Sequence, residues 1–332
     1  MIVENVLDLK QSQTFFLLRD FLSNGDVYLK LEGANFSGSI KMKSALKMIS
    51  CLEERQQIKP GQSRIIESTS GNLGIALSII CRERGYEFTC VVDPNVSPMS
   101  ISLITLYGGK IEMVAERDEN GGFLLNRIRR IEQLLEQDPL LVWTNQYANP
   151  DNTQAHYETT AAEIFGQFPK LDYLFIGAGT TGTLGGCARF FEEKSGLTTI
   201  VAIDPEGSVT FGHPSKKRHI PGLGTSRRPE ITTLENVSKV ITVSEPDTIR
   251  MCHEILSEYR LFIGPSTGTI LQGVRQYFDE HPTEKSQSIV AISPDFGDKY
   301  IDTVYNDAWI RSHYSDALAD QIQTRSNTTN HS

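Results

Sequence analysis

The chain has 332 residues, 39% hydrophobic and 22% charged, with a formal net charge of −9 and a sequence pI near 5.4. That balance is that of a soluble globular protein with room for one large or two ordinary domains, and it disfavours nucleic acid or an anionic membrane as main partner. No apolar stretch approaches the roughly 18 residues of a membrane span, and the start MIVENVLDLK lacks the basic opening and apolar core of a signal peptide, so a cytoplasmic location is expected.

Short β-branched runs alternate with segments of helical period along the chain. Strands are expected over 27–31, 64–67, 88–92, 110–114, 141–143, 173–176, 199–203, 240–243 and 289–292. Helices are expected between them, over 42–54, 72–84, 123–137, 152–167, 183–194, 246–259 and 269–279. This alternation gives an α/β fold with mostly parallel central sheets whose faces are covered by helices. Nine strands exceed what one compact sheet usually holds, so two α/β domains are expected, with the ligand in the cleft between them at the carboxyl ends of the strands. The five cysteines are odd in number and lack C-x-x-C spacing, and the seven histidines are scattered, so neither a disulfide framework nor a metal site is expected. The polar end, from about 313 to 332, reads as a disordered tail, and its Asn327-Thr328-Thr329 sequon as a chance match.

Four loops carry the chemistry. The first, EGANFSGSIKMKSALKM (32–48), runs from a turn into a helix that opens with Lys41 and Lys43. Cations are unfavourable in a first helical turn, so either these lysines decorate the surface or one is kept there for chemistry. The second, IIESTSGNLGIAL, places Ser68, Thr69, Ser70, Gly71 and Asn72 between a strand and an apolar helix. Hydroxyls, a glycine and free N–H groups there suit a carboxylate or phosphate, and equally an ordinary capped turn. The third, YLFIGAGTTGTLGG, satisfies G-x-G-x-x-G at Gly177, Gly179 and Gly182, and Asp204 follows at the end of the next strand, as a dinucleotide site would require. Its hydroxyls (Thr180, Thr181, Thr183) and its mid-chain position favour a compact terminal phosphate instead. The fourth is FIGPSTGTI, with Ser266. A lysine, a hydroxyl loop and a phosphate loop together suggest pyridoxal 5′-phosphate (PLP).

In their order, with NQYANPDN (145–152) between the second and third, these stretches resemble the fold-type II PLP enzymes of the cysteine synthase and cystathionine β-synthase family, from about Val27 to about Trp309. The resemblance implies that Lys41 carries the cofactor as a Schiff base and that Asn72 contacts its 3′ oxygen. It puts the substrate carboxylate on Thr69, Ser70, Gly71 and Gln146, and the cofactor phosphate on Gly179, Thr180, Thr181, Gly182 and Thr183. Ser266 then faces the ring nitrogen, a pairing that suits β-elimination more than transamination. Thr181 stands where the family has glycine, and Met42-Lys43 where it has Asp-Arg; Lys43 is expected to be a salt-bridging surface or hinge residue. The implied organisation is a larger cofactor-binding domain (1–41 and 149–312), a smaller mobile substrate-binding domain (42–148) and a homodimer. No heme-binding extension before the core and no regulatory domain after it are expected.

ESTSGNLGIAL, CVVDPNVSP, NQYAN and PGLGTSRRPEI look most like the N-(2-amino-2-carboxyethyl)-L-glutamate synthases within this family. Those enzymes join O-phospho-L-serine to L-glutamate, through an aminoacrylate, on the route to 2,3-diaminopropionate and siderophores. The basic segment 216–228 reads as either a solvated loop or a gate over anionic substrates. Within it Arg227 is expected to hold the substrate phosphate and Arg228 to face solvent, because relatives using O-acetylserine usually have an apolar residue at the aligned position. A sulfhydrylase making cysteine is the alternative; an NAD oxidoreductase or a non-catalytic binding protein fits less well.

Overall fold

A computed structural model describes residues 3, 5–9, 13–23, 25–69, 71–119, 121–282 and 287–329. The chain opens with an antiparallel hairpin, β1 (Phe15–Leu22) and β2 (Gly25–Leu31), and enters α1 (Lys41–Glu54). Then follow β3 (Arg64–Ser68), α2 (Asn72–Glu83), β4 (Glu87–Val92), α3 (Pro98–Leu106), β5 (Lys110–Met113), α4 (Leu124–Gln137) and β6 (Leu141–Trp143). The second half runs α5 (Pro150–His156), a π-helical turn (Tyr157–Ala161), α6 (Ala162–Gln167), β7 (Tyr173–Gly177), α7 (Gly182–Lys194), β8 (Thr199–Pro205) and β9 (Lys239–Val243). It closes with α8 (Glu245–Tyr259), α9 (Pro265–Glu280), β10 (Ile289–Ser293), α10 (Asp307–His313) and α11 (Asp316–Thr329).

Among the described residues ten strands form two sheets, one of six in the order β1-β2-β10-β7-β8-β9 and one of four in the order β5-β4-β3-β6. Every pairing is parallel except β1 with β2. Both faces of each sheet are covered, so the strands read as continuous β-branched runs and were legible as such. One large core lies between β2, β7, β8 and β10 and helices α8 and α9; another packs α6 and α7 on the opposite face. The four-stranded sheet has its own core, to which α1 gives Met42, Ala45, Met48, Ile49 and Leu52. α2 is apolar all round because it is covered all round, buried continuously from Leu73 to Cys81.

The nine expected strands all form, and the structure adds β1, α3, α10 and α11 to the reading. β1 was hidden by a bulge: Asp20 takes φ +56° and the register with β2 shifts between Leu18 and Leu22, which breaks the two-residue alternation. α3 lacks a helical stripe and is set by its ends, with Ser97 accepting from the Ser100 N–H and Pro98 in the first turn. The tail expectation is corrected over its first part: α11 carries Leu318, Ala319 and Ile322 buried against Ile249, Val304 and Ile310. No described helix is long and apolar enough to cross a membrane.

Candidate active site

The carboxyl ends of both sheets face a cleft of about 770 Å³. Lys41 stands at its floor as the first residue of α1. The preceding loop is held rigid by Asn35, whose amide donates to the carbonyls of Glu32 and Ser39 (2.7 Å each) and accepts from the Ser37 N–H (2.9 Å). Burial lowers the Lys41 pKa to about 8 against an opposing pull from the Glu67 carboxylate, so this amine gives up its proton far more readily than an ordinary lysine.

Glu67, wholly buried at the end of β3, braces two loops at once. It accepts from the Thr144 hydroxyl (2.6 Å), the Trp143 indole (3.1 Å), and the N–H groups of Gln146 (3.0 Å) and Ser68 (2.7 Å). Gln146 returns a bond to the Ser68 carbonyl (2.7 Å), so the 68–72 turn and the 144–146 turn form one wall. Thr69 is buried there and accepts from the Gly71 N–H (3.2 Å). Gly71 takes φ +141°, and a Cβ on it would stand 2.9 Å from Ser100 Oγ, so no other residue fits. Asn72, first in α2, donates to Asp295 Oδ2 (2.7 Å), which also accepts from Tyr300 (2.7 Å). Ser70 lies outside the described residues.

Opposite this wall the 179–183 loop ends at the N-terminus of α7, where the first helical N–H groups have no partner within the helix and favour an anion. A Cβ on Gly179 would come within 3.0 Å of the Gly222 carbonyl, and one on Gly222 (φ +110°) within 2.7 Å of Ser266 Oγ. The loops at 179 and 222 are therefore in backbone contact, and the 222 turn lies against the Ser266 hydroxyl in the first turn of α9. Thr181 adopts φ +66°, the left-handed conformation that explains a glycine there, and its hydroxyl meets that of Thr232 at 3.1 Å. Asn152 ties the two walls together, donating to the Gln146 carbonyl (2.8 Å) and to Thr180 Oγ1 (3.0 Å).

Lys41, Thr69, Asn72, Gln146, Gly179, Thr180, Thr181, Gly182, Thr183 and Ser266 thus line a single cleft, and Gly71 supports it from behind. Two expectations are corrected. Arg227 does not line the cleft; it is partly exposed and paired with Glu230, while Lys216, Lys217 and Arg218 of the same segment do line it. Lys43 is salt-bridged but not on the surface. It is buried between Glu32 (2.8 Å) and Glu163 (2.7 Å); burial draws its pKa down, but the two carboxylates more than offset this and raise it.

Sequence reasoning also passed over Arg127. It lines the cleft at 6% exposure with Nε and Nη1 lacking hydrogen-bond partners, and Asp93 lies 3.5 Å from Nη1. The signal was available: in α4 the buried residues are Leu124, Arg127, Ile128 and Ile131, one arginine in an apolar stripe.

Residues 13–295 match the pyridoxal-phosphate dependent enzyme family, and the chain belongs to it, among the fold-type II enzymes related to cysteine synthase and cystathionine β-synthase. Its cofactor is PLP. Over 290 residues, 87% of this chain and 85% of the relative, it is 38% identical to N-(2-amino-2-carboxyethyl)-L-glutamate synthase of Cupriavidus metallidurans. Among solved structures it resembles an O-ureido-L-serine synthase with O-ureido-L-serine bound (28% identity, TM-score 0.85, 94% of this chain and 98% of that one). It also resembles a hydrogen sulfide-producing enzyme of Fusobacterium nucleatum (29%, TM-score 0.83, 90% and 100%). The cleft fits the cofactor: a neutralisable amine for its aldehyde, a loop of glycines and threonine hydroxyls at a helix N-terminus for its phosphate, and a hydroxyl at a second helix N-terminus for its ring nitrogen.

Proposed function

We propose that the enzyme replaces the phosphate of O-phospho-L-serine with the amino group of L-glutamate, giving N-(2-amino-2-carboxyethyl)-L-glutamate and phosphate. Bound PLP would supply the electron sink that makes the substrate Cα–H acidic and the β-substituent labile. In this reading Lys41 holds the cofactor and, once freed, takes the Cα proton at Nζ; its lowered pKa suits both tasks. The 179–183 loop holds the cofactor phosphate, Ser266 faces the ring nitrogen, and Asn72 reaches the ring from the other wall. Thr69, Ser70, Gly71 and Gln146 hold the substrate carboxylate, with Glu67 keeping their two turns in register. Residues 42–148 close over 1–41 and 149–312, and the active form is a cytoplasmic homodimer.

The observation that carries the substrate choice is Arg127. A guanidinium on a cleft wall, buried, with Nε and Nη1 lacking hydrogen-bond partners and Asp93 at 3.5 Å as its carboxylate neighbour, is an expensive feature that an anion in the cleft would offset, and its planar fork matches phosphate oxygens. Arg127 therefore takes the role that the sequence reading gave Arg227. Lys216 and Lys217, at the rim, suit the carboxylates of glutamate. The test is to incubate the enzyme with O-phosphoserine and a panel of nucleophiles, weighing the products. Glutamate adduct formation supports the reading; cysteine from sulfide with no glutamate adduct would replace it by a sulfhydrylase.

A further inference from the structure

His156 is wholly buried at the end of α5 and lies in a chain of contacts leading from the ionic cluster to the phosphate loop. Lys43 Nζ donates to Thr160 Oγ1 at 3.3 Å, Thr160 Oγ1 lies 3.0 Å from His156 Nδ1, and His156 Nε2 lies 3.2 Å from Thr183 Oγ1. Two features of the backbone make the chain possible. The π-helical turn that follows His156 brings Thr160, four residues on, back against its Nδ1. Gly186 lets α7 approach, since a Cβ there would stand 2.9 Å from His156 Cβ and 2.8 Å from the Tyr157 nitrogen.

The direction of each bond follows from what each group can give. An ammonium only donates, so the Thr160 oxygen accepts from Lys43. Thr160 then has one hydroxyl proton, and among the described residues His156 Nδ1 is the acceptor in reach. Burial first, then the charges of Lys41 and Lys43, drive the His156 pKa well below its ordinary value, so the ring is neutral and carries one proton. With Nδ1 accepting, that proton sits on Nε2 and points at Thr183. The opposite tautomer would leave the Thr160 proton buried without a partner and would turn the Thr183 lone pairs toward the anion.

We propose that His156 is a positioning residue: as its Nε2–H tautomer, set by Lys43 and Thr160, it donates to Thr183 Oγ1 and leaves the Thr183 hydroxyl proton free for the cofactor phosphate. This rests on placing that phosphate in the 179–183 loop and is independent of which amino acids the enzyme joins. The lysine two residues beyond Lys41 thereby acts on the opposite end of the cofactor, through a histidine that touches neither cofactor nor substrate.

The experiment combines histidine-selective ¹⁵N NMR of the full chain, with and without PLP, and binding of PLP and of unphosphorylated pyridoxal to the cofactor-free protein. The expected spectrum shows His156 protonated at Nε2 in both forms. His156→Leu and Thr183→Val should each weaken PLP by about 10- to 100-fold, the loss of a charge-assisted contact, while leaving pyridoxal within about 3-fold. His156→Gln, whose amide can still donate from the Nε2 position, should recover most of the loss. Should His156→Leu fold poorly, Thr160→Val keeps the ring and should both shift the tautomer and weaken PLP. An Nδ1-protonated ring, undiminished PLP binding in His156→Leu, or equal losses for PLP and pyridoxal would overturn the proposal. Undiminished PLP binding in Thr183→Val would instead refute the placement of the phosphate, whatever the tautomer of His156.

Discussion

Arg127→Met gives the sharpest test of the substrate reading. Methionine keeps much of the buried stem's volume and removes the guanidinium, so the change is electrostatic more than steric. Nε and Nη1 lack hydrogen-bond partners, and each charge-assisted bond to a phosphate oxygen is worth about 1.5–3 kcal/mol. Asp93, at 3.5 Å, already shares part of the charge, which brings the expected loss to about 3–4 kcal/mol. At 1.36 kcal/mol per decade that is about 150- to 1,000-fold in kcat/KM for O-phosphoserine. O-acetylserine, neutral at its β-substituent, should lose less than about 3-fold, because no charge-assisted contact is removed from it. Arg127→Met/Asp93→Asn removes the carboxylate left unpaired in the single variant and guards against reading its repulsion as a lost contact. The assay is steady-state turnover of both esters, with circular dichroism to show that the variants fold. Equal losses on the two esters, or a larger phosphate-specific loss in Arg227→Ala, would refute the reasoning.

Lys41→Ala should abolish the visible absorbance of lysine-bound PLP and all phosphate release while leaving the far-ultraviolet spectrum unchanged; residual elimination would move the reactive amine elsewhere. Because burial lowers the Lys41 pKa to about 8 and only the neutral amine attacks an aldehyde, PLP uptake by the cofactor-free protein should speed up with rising pH and level off above about 8. A plateau only near the ordinary lysine value of about 10.4 would show that burial does not act on this amine. Thr181→Gly relieves a left-handed strain of about 1–2 kcal/mol but loses the Thr232 contact and gains unfolded-state freedom, so its stability should stay within about 1 kcal/mol of the parent. Thr181→Val keeps the strain and loses the contact, and should cost about 1–2 kcal/mol in chemical denaturation; the reverse ranking would refute the strain argument. Gly222→Ala places a Cβ against Ser266 Oγ at φ +110° and should lower stability by about 2–3 kcal/mol and weaken PLP binding; a neutral outcome would show that the 222 turn yields.

The four loops were legible because each leads into a helix N-terminus, three of them directly from a strand, where local composition sets the backbone. Strands buried on both faces announce themselves in the same way. What stayed hidden depends on contacts across the chain. Arg227 was chosen because relatives using O-acetylserine usually have an apolar residue at the aligned position, yet the buried arginine on the cleft wall is Arg127, from a helix packed on the other sheet. Glu67 read only as the end of a strand, since its four donors come from Ser68 and from 143–146. Lys43 looked like a surface cation because Glu163, which buries it, is 120 residues away. α11 has too polar a composition to stand alone as a helix and takes its order from packing on α8 and α10.

The burial of Lys43 also has a mechanical meaning. Lys30, Glu32, Lys43 and Glu163 form a compact cluster of four charges in which each lysine contacts both carboxylates. Pulling one cation out of such a cluster strands the others in a dry interior, a cost far above thermal energy. The first turn of α1 is therefore riveted to the six-stranded sheet, although the apolar face of the same helix packs into the core of the four-stranded one. α1 thus belongs mechanically to both sheets at once, clamped at its head by charge and seated along its length by apolar packing in which Met42 and Met48 are the pliable members.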